Sequence, residues 1–319
     1  DSRHLISIDT FAVGRSENDA AVARTSIRNI ANAQPGVDIT LMRYGLTPGD
    51  FLRFDYGSSL LTEGIRDFEA LIAPTALNST GQHFRAIAAS FDYLSDIEAP
   101  TASRLTLITS DGMDEAASGG RERLLSLVDL FASQNWTIDV LMLPSASQDS
   151  RIFLTKLAMR GNGVAYDMGD VGGLSSFIAT TNGLDIDPVI QTRLSSGSEA
   201  LASIEVPPMT DRITISVARD SASTQVDIFD PRGAVLSALR SDTTITETEL
   251  SLIFEVIEPE AGQWIARAIG SQSALLIGSE LSNALHMTFD ELTVPVGAPV
   301  LLSATVLDGE GRAELSGAF

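Results

Sequence analysis

Carboxylate and hydroxyl side chains recur at three points of the sequence where predicted strands end or a helix begins. Asp9 directly follows an apolar run at residues 5–8, and Thr109-Ser110-Asp111 follows a second apolar run, RLTLI. A third polar segment, Asn78-Ser79-Thr80-Gly81, precedes a predicted helix. Ligands of open parallel sheets bind beyond the carboxyl ends of the strands. The three segments therefore predict one site made of two carboxylates and a hydroxyl.

The elements that must position these side chains alternate through residues 1–183. Apolar runs predict strands, and segments with apolar residues at helical spacing predict amphipathic helices. We predict strands at 5–8, 37–43, 104–108, 138–143 and 164–167, and helices at 19–32, 67–72, 82–94, 121–134, 151–160 and 174–180. Alternation of this kind is typical of an α/β domain with an open, mainly parallel sheet and helices on both faces.

After residue 183 the apolar period changes from that of a helix to that of a strand. Short alternating segments separated by turn residues predict an all-β sandwich over residues 184–282. We predict its strands at 213–219, 224–230, 234–240, 250–256, 264–270 and 274–280. Residues 283–319 restart the pattern with too few strands for an independent domain. They are either a partial immunoglobulin-like module or extra strands of the sandwich.

Charge and composition limit the partners. The 319 residues carry 42 acidic and 21 basic side chains, for a net charge of −21, and Lys156 is the single lysine. Such a chain repels a phosphate backbone, so we expect no nucleic-acid partner. The absence of cysteine excludes disulfides and thiolate chemistry. No run reaches the ~18 apolar residues of a membrane helix, and the start is unlike a signal peptide. We expect a piece of a longer polypeptide and leave its oligomeric state open.

Residues 3–181 resemble a von Willebrand factor type A domain. The resemblance rests on the order of elements, on the apolar strand that ends in Asp9, and on the stretches LITSDGMDE and IFLTKLAMRGNGVAYDMGDVGGLSSFI. It implies a metal-ion-dependent adhesion site, in which Mg²⁺ or Ca²⁺ is held by oxygen ligands and one coordination position is left for a protein ligand. Carried over by position, the ligands are Asp9, Thr80 (or Ser79, if the alignment slips by one residue) and Asp111.

The first loop departs from the pattern that the resemblance implies. The family's Asp-x-Ser-x-Ser loop has two serines where this chain has Phe11 and Val13, which have no oxygen to offer a cation. Thr10 and Ser16 lie nearby at the wrong spacing. Two interpretations follow: a degenerate site that still binds a metal ion, or a site in which the two aspartates cap adjacent helix N-termini.

The second half also carries a resemblance. The turn DPRG and the later segment EPEAGQWIARA are similar to the β-sandwich that follows the A domain in calcium-activated chloride channel regulator proteins, hemicentin-like proteins and bacterial relatives. The residues that match are Pro259, Gly262 and Trp264. From the residues alone, Trp264 is expected in the sandwich core, and Pro231 and Gly233 in a turn.

Other motifs point away from catalysis. His4, His83 and His286 lie in different predicted elements without metal-site spacing, so we interpret them as structural or surface residues. The glycines of Gly161-Asn162-Gly163 and Gly172-Gly173 lack the strand-to-helix context of a dinucleotide site, and we interpret them as a helix C-cap and a turn. No Ser/His/Asp set has a recognisable spacing. We expect no enzyme activity.

The sequence therefore predicts a non-enzymatic protein-interaction or adhesion module of a larger secreted or surface protein. Its expected location is extracellular, at the cell surface or periplasmic. Two alternatives stay open. One is the non-catalytic region of a secreted metalloprotease of the chloride channel regulator type, and the other is a structural spacer.

Overall fold

The structure, a computed structural model, describes residues 3–33, 38–44, 52–56, 64–66, 83–111, 120–195, 197–270, 273–283, 303–307 and 313–318. The chain divides into two compact units. The first comprises Asp1–Leu184 with the short segments Ala218–Ala222 and Thr248–Ser251, and the second comprises Asp185–Val217, Ser223–Glu247 and Leu252–Phe319. None of the described helices combines the length and the apolar character needed to cross a membrane.

The first unit contains a six-stranded sheet in the order β3-β2-β1-β4-β5-β6. Its strands are β1 (Arg3–Asp9), β2 (Asp38–Tyr44), β3 (Leu52–Tyr56), β4 (Arg104–Thr109), β5 (Thr137–Met142) and β6 (Ala165–Asp167). All pairings are parallel except that of β3 with β2, which is antiparallel. The open, mainly parallel sheet is confirmed. Strand β3 was not predicted, because it lies in a stretch punctuated by glycine and proline.

Helices cover this sheet on both faces. They are α1 (Thr10–Val13), α2 (Glu17–Ala33), α3 (His83–Asp96), α4 (Gly120–Ser133), α5 (Gln148–Arg160) and α6 (Val171–Asn182). Every residue of β1 after Arg3 is buried, as expected for a strand with helices above and below it. One face packs Leu5, Leu107 and Val140 against α3, α4 and α5. The predicted helix at 67–72 lies outside the described residues.

The second unit is a β-sandwich, as predicted. A three-stranded sheet, β10-β13-β8, and a five-stranded sheet, β11-β12-β9-β14-β7, share one apolar core. The strands are β7 (Asp187–Arg193), β8 (Ser198–Val206), β9 (Thr210–Arg219), β10 (Gln225–Phe229), β11 (Thr243–Glu247), β12 (Ser251–Ile257), β13 (Gly262–Gly270) and β14 (Ala274–Asn283). Trp264 is fully buried in that core, and its indole N–H donates to the Glu260 carbonyl at 2.8 Å. Strands β15 (Ser303–Leu307) and β16 (Ala313–Ala318) pair only with each other.

The strand predicted at 234–240 is wrong. This segment makes a single isolated bridge, between Phe229 and Val235, and then turns back. Arg240 forms ion pairs with Asp230 and Asp242, and these pairs hold the segment around the DPRG turn. The ion pairs of Arg240 and the burial of Leu236 in the sandwich core both hold this path.

The prediction that Gly172-Gly173 forms a loop turn is wrong. Both glycines lie in the first helical turn of α6. A Cβ atom on Gly173 would lie 1.9 Å from the carbonyl oxygen of Asp167, so the helix passes the end of β6 at a distance that only glycine permits. A Cβ on Gly172 would meet only the carboxylate of Asp170, at 3.0 Å. The predicted C-cap at Gly161 is present at the end of α5.

These two glycines give a matched test of the helix position. Gly173→Ala should destabilise the first unit by about 3 kcal/mol, because rigid backbone cannot move away from the new methyl group. Gly172→Ala should either leave the free energy of unfolding unchanged or raise it by up to about 1 kcal/mol, since alanine favours a helix and the Asp170 side chain can rotate. Urea unfolding followed by helical circular dichroism measures both, and equal effects at the two positions would contradict the close approach.

Candidate functional site

Asp9 ends β1 and is fully buried. Its Oδ1 accepts the backbone N–H groups of Phe11 and Ala12, both at 3.1 Å, and so caps the short helix α1. Its Oδ2 accepts the hydroxyl of Thr109 at 2.9 Å. Both carboxylate oxygens therefore already have donors from the protein. The capping role that the sequence left open is what the structure shows for this aspartate.

The local sequence explains why α1 replaces an open loop. Phe11, Ala12 and Val13 are all buried, so the turn is held by apolar packing as well as by its cap. The Thr10 hydroxyl donates to the Tyr44 carbonyl at 2.8 Å and fixes the start of the turn to β2. The two positions that would carry serines in an adhesion site thus carry apolar side chains in the protein interior.

Asp111 lies beyond the end of β4 and pairs with Arg15. The Arg15 Nη2 donates to Asp111 Oδ2 at 3.0 Å, and Nη1 donates to the Ser110 hydroxyl at 3.2 Å. The Thr109 hydroxyl also accepts the N–H of Asp111 at 3.1 Å, so it bridges the two aspartates. The Asp111 side chain is 8% exposed and that of Arg15 is 37% exposed. A guanidinium is therefore the positive charge of this site.

The described carboxylate oxygens of this site already have partners within the protein. An octahedral cation needs several free oxygen ligands, whereas the oxygens of Asp9 accept three hydrogen bonds and Asp111 is ion-paired. Within the described residues, no cluster of three or more acidic or histidine side chains is arranged to hold a metal ion. Thr80 and its alternative Ser79 lie outside the described residues, so their part in a metal site stays a prediction.

His83 also belongs to this site, although the sequence analysis treated it as an ordinary structural residue. It begins α3, is fully buried, and its Nδ1 lies 2.9 Å from the Tyr44 hydroxyl. Its Nε2 is buried and has no hydrogen-bond partner among the described residues. Burial raises the pKa of the Asp9 carboxyl above 3.8, and the nearby imidazole and the hydrogen bonds to Asp9 oppose that increase.

Two of the site residues could have been found from the sequence. Arg15 lies in the same segment as Asp9, so its basic side chain could have been named as a candidate partner for a carboxylate, although the sequence does not identify Asp111 as that carboxylate. His83 lies two residues after the third polar segment that was used to predict the site. The sequence spacings that identify metal sites and catalytic triads do not identify Arg15 or His83.

Comparisons with known proteins give similarity only in structure. Neither a protein-family model nor a curated protein matches the sequence. An aerotolerance-related membrane protein from Bacteroides fragilis is 12% identical, covering 58% of this chain and 100% of its own, with a TM-score of 0.41. A von Willebrand factor type A protein from Catenulispora acidiphila is 16% identical, covering 100% of this chain and 65% of its own, with a TM-score of 0.40. The VWA domain of SpRpn10 is 13% identical, covering 56% and 94%, with a TM-score of 0.41.

At these scores the fold assignment rests on the strand order and helices of the chain itself. The sheet brings Asp9 and Asp111 together at adjacent strand ends, where the residues and the von Willebrand A resemblance both predicted them. Both carboxylates have partners among the described residues, which are the α1 N–H groups and Thr109 for Asp9 and Arg15 for Asp111.

Replacing Asp9 separates its hydrogen bonds from its charge. Asp9→Ala should cost about 2 kcal/mol, because two helix N–H groups and a buried hydroxyl lose their acceptor. Asp9→Asn should cost less than about 1 kcal/mol, since its oxygen still caps α1 and its NH₂ can donate to Thr109. Urea unfolding of the helical unit measures both variants.

A comparison of the wild-type protein with Asp9→Asn at different pH values tests the charge of Asp9. A raised pKa means that folding favours protonated Asp9, so this group's contribution to stability falls as the pH rises from 3.8 to the pKa in the folded protein. Asp9→Asn does not titrate, so its stability relative to wild type should improve over that interval. A relative loss of stability of the Asn variant with rising pH would show that the hydrogen bonds outweigh burial.

Proposed function

We propose that the first unit is a non-catalytic protein-interaction module whose binding does not require a divalent ion. The observation that carries the proposal is the Arg15–Asp111 ion pair, which puts a tethered cation where the resemblance implies a metal ion. The von Willebrand A resemblance implies a protein ligand at the strand ends. We further propose that the two units are consecutive modules of a larger secreted or surface protein, as the sequence resemblance of the second half implies.

The hydrogen bonds of the strand-end residues argue against catalysis. A nucleophilic hydroxyl needs a neighbouring base that can take its proton. Thr109 instead donates to a buried, capping carboxylate, and the Ser110 hydroxyl accepts from Arg15. The imidazole of His83 contacts the Tyr44 hydroxyl. Among the described side chains at the strand ends, each candidate nucleophile is committed to a structural hydrogen bond.

The ion pair also changes how a partner can be recognised. In an adhesion site, the metal ion supplies a strong bond to a partner's carboxylate. Arg15 already shares its charge with Asp111, so it attracts a second carboxylate far less than a metal ion would. Affinity must then come from packing and polar contacts with side chains around the strand ends. Asn18 is exposed there, in the first turn of α2.

The test is to capture partners with the full chain, tagged at its C-terminus, from surface and secreted proteins of the source organism. A purified partner should then bind saturably, with the same Kd in EDTA and in excess Mg²⁺. Asn18→Arg should weaken that binding at least tenfold, because it places a bulky charge on the strand-end face.

The matched control is Thr101→Arg, an exposed position in the turn before β4, at the opposite end of the sheet. It should leave the Kd unchanged. Loss of binding in EDTA would overturn metal independence and support the predicted metal site. The absence of any saturable partner would contradict an interaction module and favour the spacer.

A further inference from the structure

A groove of about 320 Å³ opens between α4 and α5 in the first unit. Its apolar part is made by Leu125, Phe153 and Ile152. Leu125 and Phe153 are buried and form the floor, whereas Ile152 is 62% exposed and forms the rim. An exposed isoleucine beside an apolar hollow large enough for one or two side chains is a feature that a partner can cover. We name this feature the α4–α5 groove.

The groove lies towards the same end of the sheet as Asp9 and Asp111, which is the end where the parallel strands finish. Helices α4 and α5 follow β4 and β5 in the chain, and the groove is lined by the N-terminal half of α4 and the first three turns of α5. Because β4 and β5 are parallel, both helices begin at the strand-end side of the sheet. A partner held at the strand ends would therefore be within reach of the groove.

Basic side chains border the apolar floor. The Arg121 guanidinium lies over the Phe153 ring, 4.8 Å from its centroid. Lys156, the single lysine of the chain, is exposed on the groove, and no ion pair or hydrogen bond joins it to another described residue. Its ammonium therefore offers a positive charge to a ligand.

The two acidic residues of the groove have a different role. Glu122 and Asp149 lie in the first turns of α4 and α5, where a negative charge stabilises the helix N-terminus. Lys156 lies two turns into α5, away from the helix ends, so the helix dipole does not stabilise its charge in the same way. The helix N-termini offset part of the negative charge of Glu122 and Asp149, and we assign the contact with a ligand's carboxylate to Lys156.

We propose that the α4–α5 groove binds a short acidic and apolar segment of a protein partner. A large apolar side chain of that segment packs on Phe153 and Leu125 beside Ile152, and a neighbouring carboxylate pairs with Lys156. The proposal rests on the proposed interaction function and names the chemistry of its ligand. A basic segment would be repelled by Lys156. A second copy of this chain is disfavoured because each copy carries a charge of −21.

The single lysine provides a specific probe. Reductive ¹³C-methylation labels Lys156 and the α-amino group, whose different pKa values separate their NMR signals, and the modified lysine keeps its charge. The full chain is titrated with the peptide Ac-Glu-(4-fluoro-Phe)-Glu-NH₂. Saturable shifts of the Lys156 ¹³C signal and of the peptide ¹⁹F signal are expected, with a Kd on the order of 0.1–1 mM for a contact that buries one side chain.

Two peptides and two variants decide the outcome. Ac-Glu-Gly-Glu-NH₂ and Ac-Lys-(4-fluoro-Phe)-Lys-NH₂ should bind at least tenfold more weakly, because each lacks half of the proposed recognition. Ile152→Glu should weaken the acidic fluorinated peptide at least tenfold. Leu130→Glu, on α4, 47% exposed and outside the groove lining, should not. Circular dichroism checks that both variants keep their helices.

Equal binding of the acidic and basic fluorinated peptides, or equal effects of the two variants, would overturn the proposal. So would saturation of the ¹⁹F signal without any shift of the Lys156 signal, because the peptide would then bind elsewhere. Concentration-dependent self-association that Ile152→Glu abolishes would assign the groove to a second copy instead. A captured partner whose Kd is insensitive to Ile152→Glu would reject this groove and leave the interaction function standing.

Discussion

The buried carboxylate of Asp9 is the constraint on which the strand-end face depends. It ends the central strand β1, caps α1 through two backbone N–H groups, and accepts the hydroxyl of Thr109 at the end of the neighbouring strand. A carboxylate without exposure to water is stable only when its oxygens are hydrogen-bonded. Satisfying Asp9 from within the protein therefore fixes both the turn after β1 and its distance from β4.

This constraint has an electrostatic consequence. A second carboxylate, Asp111, lies beside the first, linked to it through the Thr109 hydroxyl. Two neighbouring negative charges need a cation, and Arg15 supplies it from the segment that Asp9 orders. The helix cap occupies Oδ1 of Asp9 and the Thr109 hydroxyl occupies Oδ2, and a guanidinium, which needs only one of the two carboxylates, balances the charge at Asp111.

The sequence predicted those features that depend on periodicity and on strand ends. The buried strand before Asp9, the alternation of helices and strands, and the switch to a sandwich follow from local apolar patterns. Features decided by long-range contacts were missed. Strand β3 forms because β2 offers an edge, residues 234–240 are folded back by Arg240, and Gly173 is helical because the carbonyl of Asp167 leaves room only for glycine.

The candidate site shows the same division. Asp9 and Asp111 could be placed from the sequence, because parallel strands end at one edge. The partner of Asp111 could not, since Arg15 is brought to it by a helical turn that exists only because Phe11 and Val13 pack inward. The inward packing of Phe11 and Val13, the cap on α1 and the Arg15–Asp111 ion pair are thus parts of one arrangement. The proposed recognition relies on packing and charge on the helices that begin at this edge, where affinity depends on how well a partner fills an apolar groove.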